Sequence, residues 1–494
     1  MRATKCQLKF KGDVENYLSK SHNNIELIAD RLLTLFNVKT IMGQCHIRKR
    51  EGVHPADILF LLIIIPLLKL KTVHSFCQYK IEDWAGCGKD TFYRFKCKAY
   101  PWRTFLSKIV IKYFYLTDKN KPLRGPQEPE ERYFIFDDTG LPKRGNKIQN
   151  VSFFHDHTKG RSTLGFCVLN LGLLTDAGFC PLDFAYRFGQ KRHPKSPAEI
   201  IGDKRSISGQ RSHEAKHMKK TELALDMLGR AIKQGHKADY ALFDSWFSSP
   251  IFISKIRALY NTHAICRIKI NNTYYEYNGK KYNVSQLYRL VKPKLEKDAE
   301  TGLNVGQIVV RLPESGDEVK IAFAKGYKEP ETETDPTKGK KKEKESGWTP
   351  FLSTDTTLTA SEIIKKYSKR WAIEVFHKET KQLLGLGKEQ STDFNAQVFS
   401  TTLSYLLYIL LTFLKQREEA ATIGPLFEKL CDQVASTTYS KRLWAFLKEF
   451  LKSVLSSILN TFDIDEDITP YYKIVTQELA ANLFPHNRIK LSDN

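Results

Sequence analysis

Three acidic residues sit where a sheet would gather them. Asp138 closes the apolar burst YFIFDD, with Asp137 beside it, and Asp244 closes ADYALFD. Carboxylates at the ends of apolar strands lie at a sheet edge, where they converge without being buried unpaired. A single such Asp ordinarily caps the next turn; two in one region, each after a buried strand, ask for another account. The third acid, Glu374, belongs to the helical stretch TASEIIKKYSKRWAIEVFHKETKQLLGLG. At about 100° per residue, Tyr367, Arg370, Glu374, Lys378 and Lys381 share one stripe about 80° wide, with Ala372, Val375, Phe376 and Leu383 opposite. A lone Glu among bases is ordinarily a solvated ion pair stabilising by a few tenths of a kcal/mol. The alternative is that Glu374 completes a metal site while its neighbours hold phosphates. Three carboxylates suit oxygen-seeking cations such as Mg²⁺ or Mn²⁺. Two such ions activate a water or 3′-OH and stabilise the leaving oxygen of an in-line displacement, so no side-chain nucleophile is needed.

Other constellations are weaker. His213, Glu214 and His217 form a literal H-E-x-x-H on an expected helix. No third ligand follows, and Arg211, Lys216, Lys219 and Lys220 crowd it with positive charge, which disfavours zinc. His155 and His157 read as strand-edge histidines. The nine cysteines form no C-x-x-C pair, as expected of reduced thiols in a cytoplasmic protein. Lys89, Arg94, Lys96, Lys98 and Arg103 interleave with Phe92, Tyr93, Phe95 and Trp102. Such a mixture suits either a helix against DNA phosphates or an ordinary amphipathic helix with snorkelling bases.

The elements that must position these residues follow from the patterning. Residues 1–125 read as helical and end in the linker KPLRGPQEPEER. The stretch 126–270 opens with strands at YFIFDDT, KIQNVSFFHD and LGFCVLNLGLLTD, followed by CPLDFAYRF. A long polar helix is expected from Ser212 to Gln234, with Gly235 at its end, then the strand ADYALFD, a helix and the strand THAICRIKI. Strands continuing into αβ units imply a mixed sheet flanked by helices. Residues 271–354 change texture to short β segments, expected to form a separate β-rich lobe, and contain EPETETDPTKGKKKEKES, whose Lys338–Lys344 are expected to be mobile. Residues 355–425 return to helix with Glu374, and 426–494 form a helical end suited to dimerisation.

With 494 residues and 41% hydrophobic content, the chain can bury more than one core. Its net charge of +23 draws it to polyanions, nucleic acid before membrane. The most apolar run, Ile58–Leu68, is too short to span a bilayer and contains Pro66, so no membrane partner is expected.

The spacing Tyr367, Arg370, Glu374, Lys381 resembles the Tyr-Arg-Glu-Lys signature of insertion-sequence-four-family DDE transposases. DDTGLPKRG at 137–145 resembles that family's first-Asp motif and LFDSWF at 242–247 its second; the likeness runs from about 130 to 415. It implies an α/β, ribonuclease-H-like core with a β-rich insertion between the second Asp and the Glu, plus helical N- and C-terminal regions. It also implies two Mg²⁺ or Mn²⁺ ions on Asp138, Asp244 and Glu374, with Asp138 preferred to Asp137 because it directly precedes Thr; strand parity alone leaves that choice open. Tyr367, Arg370, Lys378 and Lys381 would contact DNA, and Trp348 of the insertion would stack on a flipped base. The implied reaction is cleavage of element ends and strand transfer into target DNA by a nucleoid-associated homodimer bound to terminal inverted repeats. A catalytically idle or nuclease-only relative is the competing reading.

Overall fold

Apolar periodicity turns into regular elements where the sequence supplies starts and stops. In the computed structural model, which describes residues 27–79, 87–118, 130–156, 160–189, 203–327, 347–461 and 474–475, the chain divides into two compact units. One comprises Met1–Tyr100, Lys112–Arg124 and Phe413–Asn494; the other comprises Pro101–Ile111 and Gly125–Thr412. Most of the linker KPLRGPQEPEER, His157 and Lys338–Lys344 lie outside the described residues.

The first unit is helical: α1 (Ile28–Leu35), α2 (Val38–Gln44), α3 (Pro55–Leu67), α4 (Val73–Tyr79) and α5 (Lys89–Lys96). The apolar run expected to be a buried helix is α3. The His54 side chain caps it by accepting from the Ala56 amide, and Pro55 starts it with a preset φ. Helix α6 (Trp102–Asp118) contributes to both units.

The second unit holds every described strand. β1 (Tyr133–Pro142), β2 (Ser152–Asp156), β3 (Arg161–Thr175) and β4 (Gly178–Arg187) come first. Helices α7 (Ile207–His217) and α8 (Lys220–Lys233), strand β5 (Tyr240–Phe243), helix α9 (Pro250–Tyr260) and strand β6 (His263–Arg267) follow. The expected single helix from Ser212 is two, because Met218 and Lys219 are extended between them. It stops as expected at Gly235, whose φ of +92° a Cβ would oppose. β1 is antiparallel to β3, β3 to β4, and β1, β5 and β6 run parallel. This mixed sheet with helices is consistent with the expected ribonuclease-H-like core.

The insertion region does not stand apart as a separate lobe. After β7 (Tyr274–Tyr277), β8 (Lys280–Asn283), helix α10 (Val284–Val291), β9 (Glu296–Lys297), β10 (Asn304–Arg311) and β11 (Glu318–Lys325), strand β12 (Trp348–Ser353) pairs antiparallel with β6. A 12-stranded sheet results. The core strand β6 would otherwise present a row of unpaired backbone groups, and β12 satisfies them.

Helices α11 (Ala360–Ser368), α12 (Trp371–Gln382), α13 (Phe394–Arg417) and α14 (Gly424–Thr461) complete the chain. α13 is apolar enough to cross a membrane by composition, but 89% of its most apolar window is buried inside the protein. Its Tyr405 and Tyr408 meet Phe376 of α12 at 4.9 Å, and Phe376 meets Phe179 of β4 at 5.3 Å. On the other face of the sheet, Phe136 of β1 packs with Phe243, Phe247 and Phe252.

Candidate functional site

β1 is longer than its apolar burst suggests. It runs on through both acids to Pro142, so Asp137 and Asp138 lie within the strand, and successive side chains there point to opposite faces. Phe136 and Asp138 share the face of α8 and α9; Ile135, Asp137 and Thr139 share the face of α12. The contacts agree with that parity. Asp138 Oδ1 takes the Lys220 ammonium of α8 at 2.8 Å, and its Oδ2 accepts from the Cys167 thiol at 3.0 Å. Asp137 Oδ2 lies 3.7 Å from Arg370, at the start of α12.

β5 brings the second acid alongside. Tyr133 pairs with Tyr240 and Ile135 with Leu242, and Asp244, two residues beyond that pairing, is near enough to Asp137 to push its carboxyl upward. Asp244 follows β5 directly and caps the short turn Ser245–Phe247, accepting the Trp246 amide at 2.9 Å. The third acid reaches the same face from α12: Glu374 Oε1 receives the Arg370 guanidinium at 2.6 Å. Arg370 is only 4% exposed and touches both Glu374 and Asp137. One cation thus stands between two carboxylates.

Burial drives the electrostatics here. It pushes Asp137 up to about 8, against the pull of Arg370 and with the repulsion of Asp138 and Asp244 added. Burial acts upward on Asp138 too, but Lys220, Cys167 and Arg187 outweigh it and hold that carboxyl below its usual range. Burial lowers Lys381, whose ammonium donates to Thr139 Oγ1 at 2.5 Å. Among the described residues, no three His, Cys, Asp or Glu side chains stand together so as to hold a metal ion. The donor set is nonetheless chemically apt. Asp137, Asp244 and Glu374 are all hard oxygen donors, and the Arg370 guanidinium reaches both Asp137 and Glu374.

The Tyr-Arg-Glu-Lys stretch is helical in two pieces, α11 and α12, joined at Lys369–Arg370 by a tighter turn whose two residues keep right-handed helical backbone and bond three residues back. Tyr367 is buried, with its ring 4.9 Å from Phe351. The buried positions of α12 are Ile373, Phe376, His377 and Thr380, while Ala372, Val375 and Leu383 are half-buried. Lys378 and Lys381 are half-buried too. Trp348 opens β12 with its ring stacked 4.2 Å from Tyr288 and edge-on to Phe323, so this indole is engaged inside the sheet region. In DDTGLPKRG, Lys143 donates to the carbonyls of Gly387 and Glu389, tying the end of β1 to the segment after α12.

In the H-E-x-x-H segment, Glu214 is paired with arginines. The Glu214 carboxylate is held by the Arg103 guanidinium at 2.6 Å, within a cluster that includes Asp183 and Arg230. Arg103 is therefore a core cation and not one of a row of surface bases. Sequence reasoning counted Lys220 only among the bases around the H-E-x-x-H motif and gave it no place beside the acids. It is one of several lysines in KHMKKTE, and only the fold buries it against Asp138.

Comparison with known proteins places the region within a described class of domain. Residues 83–285 match the family model described as DDE superfamily endonuclease, and residues 206–410 match that described as Transposase DDE domain. The second match holds both Asp244 and Glu374. No curated protein matches the chain. Domains of this class generally use divalent metal ions. The chain carries a DDE superfamily endonuclease domain of the transposase kind, which implies DNA binding and DNA cleavage.

Proposed function

We propose that this chain is a transposase that cleaves the ends of an insertion sequence and joins them to target DNA, using Asp137, Asp244 and Glu374 as its acidic triad. The observation that carries the reading is that Arg370 of α12 joins Glu374 to Asp137, whose carboxyl also feels Asp244 at the end of β5. The family resemblance favours Asp138 as the first acid. Against it, Asp138 is paired with Lys220 and Cys167, whereas Asp137 shares Arg370 with Glu374. A pair of Mg²⁺ or Mn²⁺ ions on the triad would supply an activated water or 3′-OH and a stabilised leaving oxygen.

The remaining roles belong to the protein. Arg370 bridges the two acid-bearing segments in the free chain, pairing with Glu374 at 2.6 Å and lying 3.7 Å from Asp137. Lys378 and Lys381, half-buried on α12, are placed to take phosphates of the bound strand, with Lys381 set against Thr139 of the acid-bearing strand. Two copies of the chain, one per element end, would bring the ends together.

The test uses the full chain with labelled duplexes carrying the inverted repeats that flank its gene, in Mg²⁺ and in Mn²⁺. Asp137→Asn, Asp244→Asn and Glu374→Gln are each expected to reduce nicking by at least about a thousandfold while DNA affinity stays within a few-fold, because each removes a metal donor. Joined products separate a transposase from a nuclease of the same fold. Wild-type nicking by Asp137→Asn together with none by Asp138→Asn would return the first position to Asp138.

A further inference from the structure

We propose that Lys220 is a positioning residue: a single buried ammonium that clamps the turn carrying Asp244 to the strand carrying Asp137. Lys220 is the first residue of α8 and is 4% exposed. Its Nζ lies 2.8 Å from Asp138 Oδ1, 3.9 Å from the centre of the Trp246 ring and 4.5 Å from that of Phe247. Asp138 adjoins Asp137 in β1, and Trp246 and Phe247 follow Asp244 by two and three residues. One cation therefore grips both acid-bearing segments from behind, on the face away from the carboxylates themselves.

The physical argument is that this ammonium has little alternative. A buried charge must be paired, and cation–π attraction grows as water is excluded. Here the pairing carboxylate comes from β1 and both aromatic faces come from the Asp244 turn. Phe247 is in turn wedged against Phe136, Phe243 and Phe252, so the grip is transmitted into the core. The Trp246 amide also donates to Asp244 Oδ1, so moving the indole moves the carboxylate's own partner. A misplacement of about 1 Å at reacting groups can cost about a hundredfold in rate, which is the order of effect a lost clamp predicts. Trp246 stays 46% exposed and serves as a built-in reporter.

The proposal rests on the DNA-cleaving reading of the acidic face, and the experiment separates the two. Supercoiled plasmid is nicked in a Mg²⁺ titration by the full-length wild type, Lys220→Met, Lys220→Arg and Trp246→Leu. Lys220→Met is expected to slow nicking about 10- to 100-fold and to raise the Mg²⁺ needed for half-maximal rate, with plasmid affinity and its salt dependence unchanged. Lys220→Arg, which keeps the cation, recovers part of the rate, and Trp246→Leu falls between. The emission of Trp246, isolated as the difference from matched Trp246→Phe proteins, shifts in Lys220→Met. A cooperatively folded Lys220→Met with wild-type rate and unshifted emission overturns the clamp. So does a salt slope reduced by about one unit, which would make Lys220 a phosphate contact. If Lys220→Met does not fold, wild-type nicking by Trp246→Leu overturns it equally. If the wild type nicks no DNA, the cleavage reading fails, while the emission shift still decides whether the clamp exists.

Discussion

Asp137 carries the most testable part of the proposal, because as a metal donor it would have its proton and the ion compete for the same oxygens. With its carboxyl pushed up to about 8, chiefly by burial, Asp137 holds a proton at neutral pH in the metal-free chain. Cation binding must expel that proton, so the Mg²⁺ affinity of the site should rise with pH, by at most about tenfold per unit, and level off above about pH 8. Half-saturating Mg²⁺ for nicking, measured at pH 6.5, 7.5 and 8.5, checks this; a flat series would show that Asp137 is not a ligand. The stability linkage has a definite sign. The folded value lies above the ordinary 3.8, so this group's contribution is intact in acid and is lost as pH rises towards 8. Thermal melts of metal-free Asp137→Asn should therefore lose less stability between pH 5 and 8 than wild type. Arg370 belongs to the same argument. It is buried against Glu374, so Arg370→Ala should leave the salt slope of DNA binding unchanged, whereas Lys378→Ala should lower it by about one unit.

Elements deliver these side chains through packing that is itself charged. Arg103 of α6 bonds Asp183 of β4 at 3.0 Å and Glu214 of α7 at 2.6 Å, and Arg230 of α8 bonds Asp183 at 2.8 Å. The cluster stitches three helices to the sheet beneath the helix that begins with Lys220. Removing one partner of a buried pair leaves uncompensated charge, at a cost of about 3–5 kcal/mol. Arg103→Met should lower the denaturant midpoint accordingly, while Arg205→Met, whose pair with Asp203 lies in solvent, should not move it. Equal midpoints for the two variants would contradict a stitching role. Helix α11 likewise buries Tyr367 against Phe351 of β12, while α12 carries Glu374 with Arg370, which reaches Asp137.

Taken whole, the molecule is a strong polycation. A net charge of +23 favours DNA through counterion release before any sequence is read. If six or more phosphates are neutralised, affinity for arbitrary duplex should fall about a thousandfold or more between 50 and 200 mM salt. Fluorescence anisotropy across that range measures it, and an affinity indifferent to salt would remove the electrostatic basis for DNA binding.

Much of this design was legible in residue order. Apolar runs ending in acids located β1 and β5, because a buried strand's composition is a local property. The motifs DDTGLPKRG, LFDSWF and the Tyr-Arg-Glu-Lys spacing pointed to the chemistry in the right chain order, and the family matches support it at the level of the domain. The choice between Asp137 and Asp138 was not legible. Adjacent residues of a strand differ only in which face they meet, and that is fixed by the pairing of Tyr133 with Tyr240 more than a hundred residues away. The same holds for β12, whose pairing with β6 joins an expected separate lobe to the core sheet. It holds most of all for Lys220. A lysine among lysines becomes a buried clamp only when α8 lays it between Asp138 and Trp246, because burial and ion pairing are decided by long-range contacts that residue order does not display.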